Sequence, residues 1–282
     1  MTRISLDISG KVSSEHLKAI SAIKKIAEGL GIKFFVVGAT ARDFVLSCLY
    51  GVKAPRMTLD IDFGVEIKDW ESYEKIEASL IRTGQFKQSK EKQRFVFENT
   101  IIDIIPFGDI SNDENQISWP PDYSVIMSVS GFEEAYQHAT TIILNQDPYL
   151  EILVPTLPGL AVLKILSWKH SYPERQKDAE DLLFIMNNYE HTDIMDRLFN
   201  ERIEILESET FDYKMTSIRI LGQDMAKICN PVTVAEVKDI FITETSKASQ
   251  FHLVAHMMNT THKFDDILAL LLKLKKGFLE MV

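Results

Sequence analysis

Leu17, Ile20, Ile23, Ile26 and Leu30 recur every three or four positions, the spacing of one face of an α-helix. Ser13 and Ser14 stand before the run as caps, and Gly29 and Gly31 close it, so an amphipathic helix is predicted there. "IKFFVVG" is a short unbroken apolar run and predicts a buried strand. Helical spacing returns immediately after Gly38 in "ATARDFVLSCLYG". "MTLDIDFGVEI" predicts a second strand and "KDWESYEKIEASLIRTG" a third helix. "RFVFEN" and "TIIDIIPFG" predict a hairpin that turns near Asn99-Thr100. The polar segment from Asp109 to Pro121, ending on two prolines, predicts a loop, and "TTIILNQ" and "YLEILVP" two more short strands.

After Pro158 the pattern changes. "LPGLAVLKILSWKHSYPERQKDAEDLLFIMNNY" predicts two helices broken near Tyr172-Pro173, and helical periodicity continues downstream. The boundary falls near "VPTLPG", dividing the chain into domains 1–155 and 156–282. Strands and helices that alternate and then give way to a hairpin predict an α/β (α+β) layer with a mixed sheet. A mainly α-helical C-terminal domain follows it.

Composition narrows the class without changing that picture. A chain of 282 residues, 45% hydrophobic and 26% charged, has ordinary globular composition and enough length to bury a core in each domain. Its only cysteines, Cys48 and Cys229, are far apart, which argues against a disulfide framework or a zinc site. The formal net charge of −10 excludes a protein that wraps nucleic acid and leaves small charged substrates or a limited RNA contact. "MTRISLDISGKVSSEHLKAI" lacks the apolar core of a signal peptide, and no run reaches transmembrane length. A cytoplasmic protein with no membrane partner is the expectation.

The chemistry starts from an anomaly. Asp60 and Asp62 interrupt an aliphatic strand, where Asp is disfavoured. Two apart on a strand, they project from one face and repel each other. Asp103, in "IIDIIPF", is flanked by large aliphatic residues and is a third candidate for the same sheet. Three converging carboxylates would make an oxygen-rich cage suited to magnesium, which shares its shell with phosphates and water. Gly38, between a strand and a helix start, lets a ligand approach the backbone where free N–H groups favour phosphate. Thr40 is placed to cap the helix or to bond a phosphate oxygen, and Arg42 to pair with a phosphate or a carboxylate. In the second domain Lys164 and Trp168 share a helix face, and Asp178 and Asp181 follow on the next helix beside Arg175 and Lys177.

Taken in order, "VVGATARD", "TLDIDF", "IIDIIPFG", "LAVLKILSWKHS" and "KDAEDL" resemble the AbiEii-type nucleotidyltransferases, a branch of the polymerase-β-like superfamily that includes toxins of abortive-infection and toxin–antitoxin systems. The resemblance covers most of the first 190 residues. It implies a nucleotidyltransferase fold, with magnesium bound by Asp60 and Asp62 and Asp103 completing the triad. It also implies transfer of a nucleoside monophosphate from an NTP to an acceptor, with release of pyrophosphate. Gly38, Thr40, Arg42, Lys164 and Asp178 are then the nucleotide-binding candidates, Lys164 and Asp178 matching the branch's C-terminal polar motif. The acceptor is unidentified, with a tRNA or a protein as candidates, and an antitoxin is the implied protein partner. The superfamily's turn is usually Gly-Gly or Gly-Ser, whereas here Ala39 follows Gly38. "GATARD" is also similar to the turn of tRNA CCA-adding enzymes and poly(A) polymerases, but their base-reading arginine motif is not found.

Plainer readings stand beside these. Arg42 and Asp43 form a helix ion pair in one of them, Lys164 reaches solvent from an apolar face, and Trp168 is core. Asp181 pairs with Lys177 at helical spacing, and His252 and His256 are packing or surface residues. A module of the same fold that binds a nucleotide or a partner without turnover is the alternative function, and Ala39 is its main support. A metal-dependent phosphodiesterase is a third.

Overall fold

A computed structural model describes residues 6–56, 58–247 and 250–282, so Met57, the expected first residue of the second strand, and the first five residues of the signal-peptide test lie outside the described residues. The chain divides into two compact units, Met1–Thr156 and Leu157–Val282.

The first unit opens with β1 (Leu6–Asp7), α1 (Ser14–Gly29) and β2 (Lys33–Val37). Ser13 caps α1, its hydroxyl accepting from the His16 N–H at 3.2 Å. Helix α2 (Gly38–Asp43) follows without a linker and widens into a π-type turn over Phe44–Leu49. Then come β3 (Asp60–Glu66), α3 (Trp70–Arg82), β4 (Phe86–Gln88), β5 (Arg94–Phe97) and β6 (Thr100–Phe107). The unit ends with β7 (Gln116–Trp119), β8 (Val125–Ser128), α4 (Phe132–Gln137), β9 (Thr140–Gln146) and β10 (Tyr149–Val154).

Five strands form the principal sheet in the order β2-β3-β6-β5-β4. Its central pair, β3 and β6, is parallel and its other pairs are antiparallel, so the sheet is mixed as expected. β1, β9 and β10 make a second sheet, and β7 and β8 a separate ribbon.

Period-two alternation gives the principal sheet two unlike faces. Ile61, Phe63 and Val65 of β3 point to one side with Ile102 and Ile104 of β6, and all are buried. Asp60, Asp62, Gly64 and Asp103 point to the other. On that side the rings of Phe35, Phe107, Phe132 and Tyr136 pack together beyond Gly64. A side chain at Gly64 would overlap Phe35, which explains the glycine there. The aromatic cluster thus closes one end of the face and leaves Asp60 and Asp62 half-buried and Asp103 buried at the other.

The expected hairpin forms: Phe97 pairs with Thr100, and the turn is Glu98-Asn99. Two expectations are corrected. β3 starts only at Asp60, after an exposed Leu59. The segment expected as a loop from Asp109 to Pro121 contains β7, whose four residues are too short a run to stand out beside two prolines.

The second unit is helical among its described residues. It contains α5 (Leu157–His170), α6 (Gln176–Asn188), α7 (Ile194–Glu201), α8 (Ile203–Ser208), α9 (Tyr213–Ile228), α10 (Pro231–Glu244), α11 (His252–Met257) and α12 (Phe264–Leu279). Helix α5 is apolar nearly all round, as befits an element surrounded by neighbours.

Candidate active site

Register brings the acidic residues together. Asp62 lies opposite Asp103 in the parallel β3–β6 pair, and Asp103 lies opposite Arg94 in the antiparallel β6–β5 pair. A row Asp62–Asp103–Arg94 therefore crosses three strands on one face, with Asp60 one pleat before Asp62. Arg94 grips Asp103 with both prongs, Nε to Oδ1 and Nη2 to Oδ2, each at 2.8 Å. Hydrogen bonding to Asp103, opposed by burial and aided by the charges of Asp103 and Asp60, pushes the Arg94 guanidinium above its usual range. Arg94 was not singled out by sequence reasoning.

Gly38 sits at the end of β2, where Val37 faces Asp62. Its φ of +72° lies in the left-handed region, and a Cβ there would stand 2.0 Å from Asp62 Oδ2. The glycine is needed both for the turn and to leave the carboxylate its space. Thr40 is buried, and its hydroxyl donates to the Asp60 carbonyl at 2.7 Å, pinning the start of α2 to the start of β3. Arg42 is fully buried and donates through Nε and Nη2 to Asp43 Oδ1 at 2.9 and 2.6 Å. Asp43 Oδ2 accepts from Thr58 at 2.7 Å, which ties the helix to the segment entering β3. Thr40 and Arg42 thus hold the backbone on which Asp60 stands.

Among the described residues, no three His, Cys, Asp or Glu side chains close into a metal cage. What the sheet presents is the Asp60–Asp62 pair on one strand, with Gly38 backed against it and Asp103 beside it in Arg94's grip. Two carboxylates on one strand face match the way magnesium is usually held, through one or two carboxylates with phosphate and water. The residues fit the ion in that form.

The remaining candidates lie in the second unit. Lys164 is buried, and its ammonium donates to Asp178 Oδ1 at 2.7 Å and forms an ion pair with Asp181 Oδ2 at 2.8 Å. Asp178 also accepts from Ser167 at 2.9 Å and from Arg175 at 2.6 Å. Burial opposes the charge on Lys164, but the two aspartates outweigh it and hold the ammonium above its usual range. Burial also resists the Asp178 carboxylate, and Lys164 and Arg175 bring it down to about 2. Both groups are therefore charged at neutral pH. The ion-pair partner of Asp181 is Lys164, which its helical spacing to Lys177 did not suggest. Trp168 is core, and its indole N–H donates to His256 Nδ1 at 3.1 Å. Tyr172 leans on His252 and stacks on His256.

The sequence matches the family described as "Nucleotidyl transferase AbiEii toxin, Type IV TA system" over residues 24–269. The chain belongs to the AbiEii family. It is a nucleotidyltransferase, and the matched span takes in the aspartate pair, Arg94 and the buried lysine cluster. No curated protein sequence matches the chain. Among solved structures, the antibiotic-resistance factor ANT(2'')-Ia is similar at 13% identity over 71% of this chain and 98% of its own, with a TM-score of 0.37. A nucleotidyltransferase-like antigenic protein of Paracoccidioides brasiliensis is similar at 17% identity, over 70% of this chain and 92% of its own, with a TM-score of 0.40. The CCA-adding enzyme of Thermotoga maritima is similar at 17% identity over 84% of this chain and 54% of its own, with a TM-score of 0.33. Among the described residues no helix is long and apolar enough to cross a membrane.

Proposed function

We propose that this AbiEii-family enzyme transfers a nucleoside monophosphate from an NTP to a hydroxyl of a tRNA or protein acceptor, with Asp60 and Asp62 holding magnesium. The observation that carries this reading is the Asp60–Asp62 pair on one half-buried sheet face, with Gly38 leaving the Asp62 carboxylate its room. Carboxylates drawn into a half-buried aliphatic strand are costly, and a cation shared with a triphosphate gives these two a use. When bound, the ion supplies positive charge to the phosphates.

The protein's own groups do the rest. Gly38 admits the triphosphate close to the backbone, and Thr40 and Arg42 keep that backbone fixed. Asp103, beside Asp62, takes the proton of the acceptor hydroxyl. The acceptor oxygen bonds to the α-phosphorus as the bond to the β-phosphate oxygen breaks, and pyrophosphate leaves. Lys164 and Asp178 belong to the nucleotide-binding set through the family motif, and in a toxin–antitoxin setting the protein partner is an antitoxin.

The test is calorimetric titration of each of the four NTPs with magnesium into wild type and Asp62→Asn, followed by transfer of α-labelled nucleotide to total tRNA and to protein. Binding that needs both magnesium and Asp62, with label appearing in one acceptor class and pyrophosphate released, is expected. The substitution should abolish transfer and leave the melting temperature within a few degrees, because it lifts a repulsion. Nucleotide binding with no transfer to either acceptor would favour the non-catalytic module.

A further inference from the structure

The row Asp62–Asp103–Arg94 holds two carboxylates on adjacent strands, roughly 4.8 Å apart in the hydrogen-bonding direction, with one cation at its end. With Asp60 one pleat away, three carboxylates share this small area with the Arg94 guanidinium. Arg94 meets Asp103 with a planar fork, which fixes the plane of the carboxylate as well as neutralising it. The Asp103 side chain is 11% exposed and that of Arg94 32%, so water screens the pair only in part. Its charge therefore reaches Asp62 and Asp60 across the same face.

We propose that Arg94 is the built-in counter-ion of the acidic row: a positioning residue that holds Asp103 in place and opposes a divalent cation at Asp60 and Asp62. The proposal rests on the cation reading given above. Two effects of opposite sign follow from the one guanidinium. Without a cation it offsets the repulsion between Asp62 and Asp103 and supports the fold. Toward an arriving divalent ion it is a like charge on the same sheet face, and it occupies one lone pair on each oxygen of Asp103. The enzyme should then hold the ion weakly alone and tightly only when a triphosphate adds its own negative charge. This couples the ion to the substrate.

The experiment measures ion binding directly, without nucleotide and without turnover. Magnesium and manganese are titrated by calorimetry, with thermal melts in EDTA and in saturating ion, for wild type, Arg94→Gln, Arg94→Lys and Asp62→Asn. Arg94→Gln should melt lower in EDTA, bind the ion about tenfold tighter, and gain more from it in melting temperature than wild type does. Arg94→Lys keeps the charge but loses the fork, so it should melt lower in EDTA with an affinity within about twofold of wild type. An ion response that needs Asp62 but is equally strong in wild type and Arg94→Gln overturns the role of Arg94 and leaves the cation reading standing. A wild-type response that survives Asp62→Asn sinks the cation reading, and the Arg94 proposal with it. Should Arg94→Gln fail to fold, the Lys variant decides: a tenfold gain in affinity there, with the charge retained, overturns the electrostatic argument.

Discussion

A methyl group on Gly38 would have to occupy space held by an Asp62 carboxylate oxygen, 2.0 Å away, on a backbone whose φ of +72° already disfavours any side chain. Neither conflict is relieved by moving the far end of a flexible chain, since Asp62 is fixed on β3 and faces β2 in register. Gly38→Ala should therefore cost roughly 1–3 kcal/mol of stability and remove nucleotide binding as well. Urea titration paired with calorimetry of the NTPs checks both; a stable variant with normal binding would show that the turn relaxes. The same residue shows why part of the site was legible. Gly38, Asp60 and Asp62 are local signals, a glycine between strand and helix and two charges in an aliphatic run. Arg94 is not local. With the turn at Asn99-Thr100 it would face Ile105, and only the turn at Glu98-Asn99 brings it opposite Asp103. A turn displaced by one residue shifts the pairing by two, so Arg94 would stay on the same face but lose its place opposite the site carboxylate. Asp181 was misread for a similar reason: its spacing on α6 is visible in the sequence, but the packing of α5 against α6 that supplies Lys164 is not.

At the scale of elements, two glycines let the backbones of α9 and α12 cross closely in the second unit. A Cβ on Gly222 would come within 2.2 Å of the Leu274 carbonyl oxygen, and one on Gly277 within 1.8 Å of the Arg219 carbonyl oxygen. These are contacts with main chain, so the helices must separate to admit a methyl group. Alanine gains about 1 kcal/mol over glycine inside a helix, and overpacking a tight contact costs typically 1–3 kcal/mol and sometimes more. The second effect wins here because neither main chain can yield alone. Gly277→Ala and Gly222→Ala should each lower stability by roughly 2 kcal/mol in urea titrations, against the trend of helix propensity, and a rise in stability would show that the crossing is slack. Helical periodicity was readable through this unit, but the individual helices after α6 were not, nor was the Asp212 cap of α9, whose side chain accepts from the Met215 N–H at 2.9 Å. The crossing was not readable either, because two isolated glycines in helical runs look like local weaknesses until the partner backbone is known. The strands that escaped the sequence reading, β1, β4, β7 and β8, are two to four residues each and carry too few alternations to set a period.

Across the whole molecule, the buried ion pairs are divided unequally between the two units, and this predicts which yields first in acid. In the helical unit Asp178 is brought down to about 2. Asp224, Glu209 and Glu280 are also lowered: burial resists the charge on each, and Arg197 and Lys227, Lys273 and Lys276, and Arg219 respectively outweigh it. In the sheet unit the lowered carboxylates include Asp7, Glu15, Glu91 and Asp122, all exposed, where hydrogen bonds to nearby groups add little to stability. A carboxylate whose pKa is depressed on folding stabilises the native state above its unfolded value and loses that contribution as pH falls through the folded one. For Asp178 the window runs from 3.8 down to about 2, a contribution of about 2 kcal/mol. Acid should therefore loosen Leu157–Val282 ahead of residues 6–156. Brief pepsin digestion between pH 4 and pH 2, with the first cuts mapped by mass spectrometry, should find them in the helical unit. Asp178→Asn supplies the control in urea titrations: it should be less stable than wild type at pH 7, with the gap closing as pH falls through that window. First cuts in the sheet unit, or a gap unchanged down to pH 2, would mean that the Lys164 cluster is not what acid dismantles.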